Sequence, residues 1–378
     1  MRVTRLSLRG FRSYEVAEVD FGEGLTVVTG SNGAGKTNLL EALYFGCVGR
    51  SCRTTNEREI VSFGGTVARV EVACEDRDGE HELSVGFEPG AAKRLSVDGA
   101  AVERLQDSSA RPLVAVFLPD RLELVKGTPS VRRAHLDQFV AALWPARTVS
   151  RRGYARALAQ RNALIGRIRA GGATRDSLPA WDAELARHGM ALMEDRSAAA
   201  AELAPRFAAR AEELGLGGGA KLAYRPRSRA ESAQELVQEL VDRVEADIDR
   251  GFTGHGPHRD ELALRRDGRD LRAYGSQGQQ RLAVLSLLLT ERQCLAELRE
   301  APPLLLLDDV MSELDADRRG RLVELLRAGS GQSVITTTEL AHVPGAELSD
   351  VARLVVRDGV VLGEAPAEAS AAGAVGAA

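Results

Sequence analysis

The chain has 378 residues, of which 44% are hydrophobic, enough for a buried core spread over about two to three domains. Its 50 basic and 54 acidic residues give a formal net charge of −4, so binding to nucleic acid would require a local basic patch. The four cysteines form no C-x-x-C pair, which argues against a zinc site or a disulfide framework. No stretch approaches about 20 apolar residues and no apolar leader is present, so the sequence predicts a cytoplasmic protein without a membrane partner.

Strand patterns dominate the first 110 residues or so, and helical patterns dominate the middle of the chain. Strands are predicted at 2–8, 25–29, 67–73, 82–87 and 93–97, with hairpin turns at 78–79 and 98–99. After Pro145 the composition shifts to Ala, Arg, Glu and Leu. One helix is predicted to begin after Ser232, with Glu235 completing a capping box, and to end at Gly251. Strand patterns return at 261–265, 304–307, 333–337 and 353–356, and the tail from 364 is predicted to be disordered.

A phosphate-binding motif lies between a strand pattern and a helix pattern. The segment 30–37 matches G-x-x-x-x-G-K-[ST], the P-loop. Its glycines let backbone N–H groups surround an anion, while the Lys36 ammonium suits the terminal phosphates and the Thr37 hydroxyl suits Mg²⁺. Only four of the 50 basic residues are lysine, so a lysine at this position is not incidental. The residues predicted to bind ATP here are Gly30, Ser31, Asn32, Gly33, Ala34, Gly35, Lys36 and Thr37.

An apolar run of four leucines ends in two adjacent carboxylates, Asp308 and Asp309. An unpaired carboxylate at the end of a buried strand is costly, which favours a role in binding or catalysis. We predict that Asp308 joins Thr37 in holding Mg²⁺ and that Asp309 is the general base for the attacking water, with Lys36 as the third catalytic residue. The alternative is that both acids cap the following helix.

Between the P-loop and the acidic strand lies the segment Gly275-Ser276-Gln277-Gly278-Gln279-Gln280-Arg281, followed by an apolar helix pattern at 282–289. This order of motifs resembles the ABC-type ATPases. The resemblance implies an α/β fold, a P-loop ABC-type ATPase head with a mixed sheet. It also implies that Ser276, Gly278 and Gln279 contact ATP bound to a second copy, and that Asp315 lies in the segment crossing the dimer interface. Asp309 stands where glutamate is usual and Thr338 where histidine is usual, which implies slow, switch-like hydrolysis.

Further segments resemble the RecF family of bacterial recombination proteins and cover the chain nearly end to end. They are Leu8-Arg9-Gly10-Phe11-Arg12-Ser13-Tyr14, the region 119–137 including Leu124-Val125-Lys126-Gly127-Thr128-Pro129, Gly256-Pro257-His258-Arg259-Asp260-Glu261-Leu262, and Tyr274 with the segment that follows it. The resemblance implies a homodimer that forms on ATP binding, clamps DNA and helps mediator proteins load recombinase onto single-stranded gaps. It further implies weak, DNA-stimulated ATPase activity and a link to replication and the SOS response.

The middle of the chain carries a run of basic charge. Between 147 and 175 there are eight arginines and no acidic residue. A solvated helix face is one reading of such a run, and contact with DNA is the other. Because aromatic residues are sparse there, we predict contact with duplex phosphates, at single-strand/double-strand junctions by family resemblance. The candidate DNA contacts are Arg151, Arg152, Arg156 and Arg161.

The predicted organisation is an ATPase head of residues 1–140 with 251–363, an inserted α-helical lobe of residues 141–250, and a tail of residues 364–378. Three other classes of protein stay open. A transporter-energising ATPase would have a shorter helical section, a chromosome-organising head would have a coiled coil, and a scaffold without hydrolysis would not need the intact P-loop and acidic pair. His255, His258 and Asp260 more often serve a loop or an interface than a metal site.

Overall fold

The computed structural model describes residues 1–118 and 122–364, so the tail predicted to be disordered lies outside the described residues from 365 onward. In chain order the strands are β1 (Arg2–Phe11), β2 (Tyr14–Asp20), β3 (Leu25–Thr29), β4 (Ala68–Glu75), β5 (Glu80–Phe87), β6 (Arg94–Val97), β7 (Ala100–Ala101), β8 (Val114–Phe117), β9 (Lys221–Arg225), β10 (Glu261–Arg266), β11 (Arg269–Asp270), β12 (Leu304–Leu307), β13 (Ser333–Thr337), β14 (Val351–Arg357) and β15 (Val360–Glu364).

The helices are α1 (Lys36–Val48), α2 (Glu123–Lys126), α3 (Pro129–Leu143), α4 (Thr148–Arg169), α5 (Leu178–Glu213), α6 (Ala233–Val241), α7 (Val244–Arg250), α8 (Leu271–Tyr274), α9 (Gln277–Arg299) and α10 (Ala316–Ala328). The described residues form two compact units, the first from 1–118 with 295–364 and the second from 122–294. The predicted helical lobe, 141–250, lies wholly within the second unit. Its boundaries with the head stay a prediction.

Two six-stranded sheets build the first unit. One is antiparallel, in the order β2-β1-β4-β5-β6-β7. The other is mixed, in the order β15-β14-β3-β13-β12-β8, and its strands are parallel except for the β14–β15 pair. The main apolar core includes inward-facing residues of both sheets and most of α1, such as Leu6, Val70 and Phe45. The P-loop strand β3 is therefore central, with β13 on one side and β14 on the other, as the mixed-sheet prediction requires.

The second unit is mainly helical and also contains a three-stranded sheet. Helix α4 packs along the 36-residue helix α5, and their shared apolar contacts include Tyr154, Leu185 and Leu192. Strands β9, β10 and β11 pair antiparallel in the order β11-β10-β9. Because α5 is covered by α4, α6 and β9, it does not project as the coiled coil that a chromosome-organising head would need.

The predicted strands at 25–29, 304–307 and 333–337 match β3, β12 and β13 residue for residue, and both predicted hairpin turns join antiparallel strands. The helix predicted from Ser232 to Gly251 is wrong in one respect. Ser232 caps α6 by accepting from the Glu235 N–H, and Gly251, with φ 85°, ends α7. The helix is interrupted between Val241 and Val244, so two helices form where one was predicted. The Arg243 N–H donates to the Leu240 carbonyl three residues back, which tightens the last turn of α6 and ends it.

Candidate nucleotide-binding site

The loop between β3 and α1 has the geometry that its glycines permit. Gly33 and Gly35 have φ values of 81° and 116°, which residues with a Cβ rarely adopt. At Gly30 a Cβ atom would lie 2.4 Å from the Val356 carbonyl oxygen, so no side chain fits there. The Tyr14 hydroxyl donates to the Gly35 carbonyl at 3.0 Å and holds the loop from β2. The first amides of α1 lack intrahelical acceptors and point out of its N-terminus, where an anion would be favoured.

Lys36 is bound to its own loop. Its ammonium donates to the carbonyl oxygens of Gly30 at 2.7 Å and Ser31 at 2.9 Å. Burial lowers the pKa of Lys36 from its ordinary value, and the charges of Asp309 and Asp308 oppose that shift. The Lys36 ammonium is therefore held by the loop at the position where the motif places phosphate oxygens.

Asp308 faces the start of α1 from the end of β12. The Thr37 hydroxyl lies 3.0 and 2.9 Å from its two carboxylate oxygens, and the Thr336 hydroxyl donates to it at 2.7 Å. The carboxylate is buried, and burial raises its pKa, while the two hydroxyls act in the opposite direction. No basic side chain among the described residues forms an ion pair with Asp308. Its carboxylate is therefore a buried acid whose oxygens can still bind a cation.

Asp309 has a strained backbone and an incompletely satisfied side chain. Its φ of 43° lies in the left-handed region, and its N–H donates to Thr336 Oγ1 at 2.9 Å. The Ser312 hydroxyl donates to Asp309 Oδ2 at 2.9 Å, whereas Oδ1 is buried and has no hydrogen-bond partner among the residues the structure describes. An orphaned carboxylate oxygen beside the P-loop fits a group that is supplied by a ligand.

These residues fit ATP and Mg²⁺. Thr37 and Asp308 present adjacent oxygen atoms, the ligand type that Mg²⁺ prefers, and a Mg²⁺ site commonly has one or two protein ligands and completes its shell with phosphates and water. No cluster of three or more His, Cys, Asp or Glu able to hold a metal occurs in 1–118 and 122–364, which agrees with such a sparse site. The alternative that the two acids cap a helix receives no support, because neither carboxylate accepts a hydrogen bond from a backbone N–H of the turn that follows, among the residues the structure describes.

A buried ionic cluster beside the loop was missed in the sequence. Glu41, in the middle of α1, is fully buried and accepts two hydrogen bonds from the Arg12 guanidinium at 3.0 and 2.9 Å. Arg53 donates to the same carboxylate at 3.0 Å and to Asn38 at 2.9 Å. An acidic residue inside the apolar face of the P-loop helix was the available signal, since a buried acid requires partners.

The segment Ser276 to Gln279 forms the N-terminus of α9. The Ser276 N–H donates to Gln279 Oε1 at 2.9 Å, and the Gln279 N–H donates to Ser276 Oγ at 3.3 Å. This reciprocal arrangement is a capping box, a signal present in the sequence as Ser-x-x-Gln. Ser276 and Gly278 are exposed, and a Cβ at Gly278 would meet nothing within 4 Å. The segment therefore presents a fixed, open helix N-terminus to solvent.

Two other residues singled out by the resemblance lie at element ends. Asp315 caps α10 by accepting from the Arg318 N–H at 2.9 Å. Thr338 follows directly after β13 and is half-buried. Thr336, two residues earlier and within β13, is the residue that contacts Asp308. The sequence pattern does not distinguish it from its neighbours.

The arginines of α4 do not form one surface. Arg151, Arg152 and Arg156 are exposed, but Arg161 is fully buried, so the prediction that Arg161 contacts DNA is wrong. Its guanidinium donates to Asp182 at 2.6 Å, to Asp247 at 2.8 Å and to the Thr253 hydroxyl at 2.8 Å. The cause is helical phase, because Arg161 follows the buried Ala157 by one turn and the buried Tyr154 by two.

The histidines near the Gly-Pro turn serve the fold. His258 Nδ1 lies 2.7 Å from the Tyr154 hydroxyl and its Nε2 lies 2.9 Å from the Thr253 carbonyl oxygen. Burial lowers the pKa of His258 to about 4, so the ring is neutral near pH 7. His255 contacts Glu239 at 2.5 Å, and Asp260 accepts from Arg196 at 3.0 Å. These pairings support the interpretation that the three residues hold a loop.

The P-loop joins the parallel strand β3 to α1, and the acidic pair follows β12, which lies two strands from β3 in the same sheet. This arrangement defines a P-loop ATPase head of the ABC type. The profile described as RecF/RecN/SMC N terminal domain matches residues 2–359. A DNA replication and repair protein RecF from Moorella thermoacetica is 37% identical over 344 residues, 91% of this chain and 92% of the relative. The relative of the same name from Myxococcus xanthus is 38% identical over 380 residues, 97% of this chain and 99% of the relative. The chain belongs to the RecF family.

Solved structures agree with this assignment. A structure described as the recombination mediator protein RecF with ATP in the RecFOR pathway is 28% identical and has a TM-score of 0.82 over 96% of this chain and 98% of that one. The Smc head domain of Pyrococcus furiosus, at 18% identity and a TM-score of 0.59, shares the fold. None of the helices in 1–118 and 122–364 combines the length with the apolar character that a membrane span requires.

Proposed function

We propose that this protein is an ATP-switched DNA-binding protein of recombinational gap repair, in which ATP joins two copies on DNA and slow hydrolysis releases them. The observation that carries the proposal is the contact between the Thr37 hydroxyl and the buried Asp308 carboxylate, with the unpartnered Oδ1 of Asp309 next to it. The names of the relatives, and the ATP-bound neighbour in the RecFOR pathway, support the same conclusion. The description of that neighbour as part of the RecFOR pathway supports partners of the recombination-mediator class.

Each residue of the site has a distinct task in this proposal. Lys36 leaves the carbonyls of Gly30 and Ser31 to contact the terminal phosphates, and the glycine loop supplies backbone N–H donors. Thr37 and Asp308 would hold Mg²⁺, which supplies charge neutralisation for the transferred phosphoryl group when bound. Asp309 Oδ1 is free to accept a proton from, or orient, the attacking water.

The side chain of Asp309 supports the slow turnover in this proposal. Its Oδ2 is engaged by Ser312, and its backbone is fixed in the left-handed region by the contact of its N–H with Thr336. An aspartate has one methylene fewer than the glutamate that is usual in ABC enzymes. Its carboxylate therefore has less reach, and geometry of this kind governs the efficiency of a general base.

Dimerisation is assigned to the exposed N-terminus of α9. The capping box fixes Ser276 and Gln279, so the open amides of this helix end are preorganised for an anion before ATP arrives. In the proposed dimer this anion is the γ-phosphate held by the P-loop of the other copy. Duplex DNA is bound in part by Arg151, Arg152 and Arg156, which remain exposed on α4.

Sedimentation velocity of the purified chain, with and without ATP and a duplex, tests the proposal. ATP is expected to convert monomer to dimer. Lys36→Met is expected to lose both ATP binding and dimerisation, whereas Ser276→Arg keeps ATP binding and stays monomeric. Mixing the two variants restores one complete site, made from the intact P-loop of one and the intact Ser276 of the other, so part of the dimer and of the turnover returns. A wild-type protein that binds ATP and stays monomeric with DNA would contradict the two-copy mechanism.

A further inference from the structure

The antiparallel sheet of the first unit has an outer face that is basic at one end. The strand register places five residues opposite one another in a single row across β2, β1, β4, β5 and β6. In that order they are Val16, Arg9, Arg69, Gly86 and Arg94. Residues paired in register point to the same face, so the three arginines share it. We call Arg9, Arg69 and Arg94 the basic row. All three are exposed.

The arrangement of the basic row is unfavourable for the isolated protein. Arg9 and Arg69 lie directly opposite each other on neighbouring strands, and like charges in that position destabilise a sheet. Arg69 is neutralised by Glu71 at 2.6 Å, but neither Arg9 nor Arg94 forms an ion pair with any residue in the described part of the chain. A repulsive row that is kept on the surface is accounted for by an anionic ligand that lies along it.

The rest of the same face has the opposite character. The next row along the strands contains Glu18, Ser7, Glu71 and Ser84. Beyond it, Arg5 is paired with Asp20 at 2.7 Å. The positive charge is therefore confined to one end of the sheet, and it is linear, with Gly86, which has no side chain, between Arg69 and Arg94.

The shape and surroundings of the row fit the backbone of a nucleic acid. With strands about 4.8 Å apart, four adjacent strands place three guanidinium groups along roughly 14 Å. A regularly charged polymer matches such a line, and arginine suits phosphate oxygens.

We infer that the basic row is a second DNA contact, which binds the phosphate backbone of a duplex on the ATPase unit independently of the arginines of α4. The inference rests on the proposed function, because it assumes that the protein binds duplex DNA at all. It adds a site to that function, since none of these three arginines belongs to the nucleotide site or to the basic run at 147–175. The contact is with phosphates, so no base sequence is preferred.

Titration of a fluorescent 30-base-pair duplex in ATP and Mg²⁺, at several salt concentrations, tests the basic row. The Arg9→Gln, Arg94→Gln double variant is expected to bind at least about tenfold more weakly near 100 mM salt, and its plot of log K against log salt is expected to be shallower by about 2. Arg5→Gln is the matched control, on the same strand and face but paired with Asp20, and it should bind as wild type does.

Two further measurements separate the outcomes. ATP turnover without DNA should be unchanged in the double variant. Its thermal stability should be unchanged or higher, because the repulsion between Arg9 and Arg69 has been relieved. A lower melting temperature would indicate a structural role and contradict the inference. Unchanged affinity and salt slope would overturn the basic row even if Arg156→Gln weakens binding. If the wild type does not bind the duplex at any salt concentration, the proposed function fails and the basic row fails with it.

Discussion

Two groups of buried carboxylates, one in each unit, differ in what neutralises them. In the second unit Asp182 and Asp247 share Arg161, and all three side chains are almost completely buried. In the first unit, among residues 1–118 and 122–364, the Asp308 carboxylate accepts only from the hydroxyls of Thr37 and Thr336, and one carboxylate oxygen of Asp309 has no hydrogen-bond partner.

An acid paired with a buried arginine is committed to the fold, because breaking the pair leaves a desolvated charge. An acid that accepts only from hydroxyls retains the capacity to bind a cation or a proton. In these two groups the partner of a buried acid distinguishes structural from functional carboxylates, whereas burial alone does not.

The largest effect expected from this comparison is on turnover. Asp309→Asn should lower ATP hydrolysis by roughly 10² to 10⁴, the usual contribution of a general base. Since the asparagine keeps an oxygen for Ser312, its unfolding free energy should stay within about 0.5 kcal/mol of wild type. Phosphate release and thermal unfolding measure the two quantities. Turnover within tenfold of wild type would remove Asp309 from the catalytic group.

The opposite outcome is expected in the arginine cluster. Arg161→Leu leaves Asp182 and Asp247 buried without a cation and should lower the unfolding free energy by about 3–5 kcal/mol. Arg156→Leu, five residues earlier on the exposed side of α4, is the control and should change it by no more than about 0.5 kcal/mol. Denaturant titration followed by circular dichroism gives both values. Equal stability of the two variants would end the distinction between the two regions.

The smallest effect is a pH-dependent gain of stability in Asp308→Asn. Burial raises the pKa of Asp308 in the folded protein, so the unfolded chain releases this proton first as the pH rises above about 3.8. The wild type loses stability through that window up to the folded pKa, and the loss then stays constant. Without nucleotide, the variant should therefore be more stable than wild type at pH 7 and equal to it near pH 3.

Thermal unfolding of the two proteins from pH 3 to 8 measures this difference. The same substitution should abolish the stabilisation that ATP with Mg²⁺ gives the wild type, since one of the two oxygen ligands facing Mg²⁺ is weakened. A variant that is less stable than wild type at neutral pH would show that Asp308 holds the fold.

Motifs that combine a strand, a turn and fixed chemistry were predictable from the sequence. The P-loop and the leucine strand before Asp308 are read correctly because backbone geometry, burial and ligand chemistry all constrain the same few residues. Strands such as β8 and β9 were missed, since each is four or five residues long and is fixed by pairing with β12 or β10, far away in the chain. Local pattern carries little information about such partners.

Arg161 shows the limit of reading charge as surface. Most arginines of the basic run at 147–175 lie on α4, whose buried face includes Tyr154, Ala157 and Leu164. Arg161 falls on the same face of the helix. Its acidic partners, Asp182 and Asp247, lie on α5 and α7, so no local window contains the pair. Helical phase was the available signal, and it outweighs a count of basic residues.

The central position of β3 has a consequence for synthesis of the protein. Its flanking strands come from the last part of the chain, and Thr29 bonds to Leu354 across 325 residues of sequence. At a translation rate of about 5–20 residues per second, the P-loop strand waits roughly 15–60 seconds on the ribosome before its neighbours emerge. Residues 122–294 are continuous and can fold in the meantime. The nucleotide site is therefore among the last parts of a nascent chain to form, because Asp308 and Thr336 are synthesised long after the P-loop.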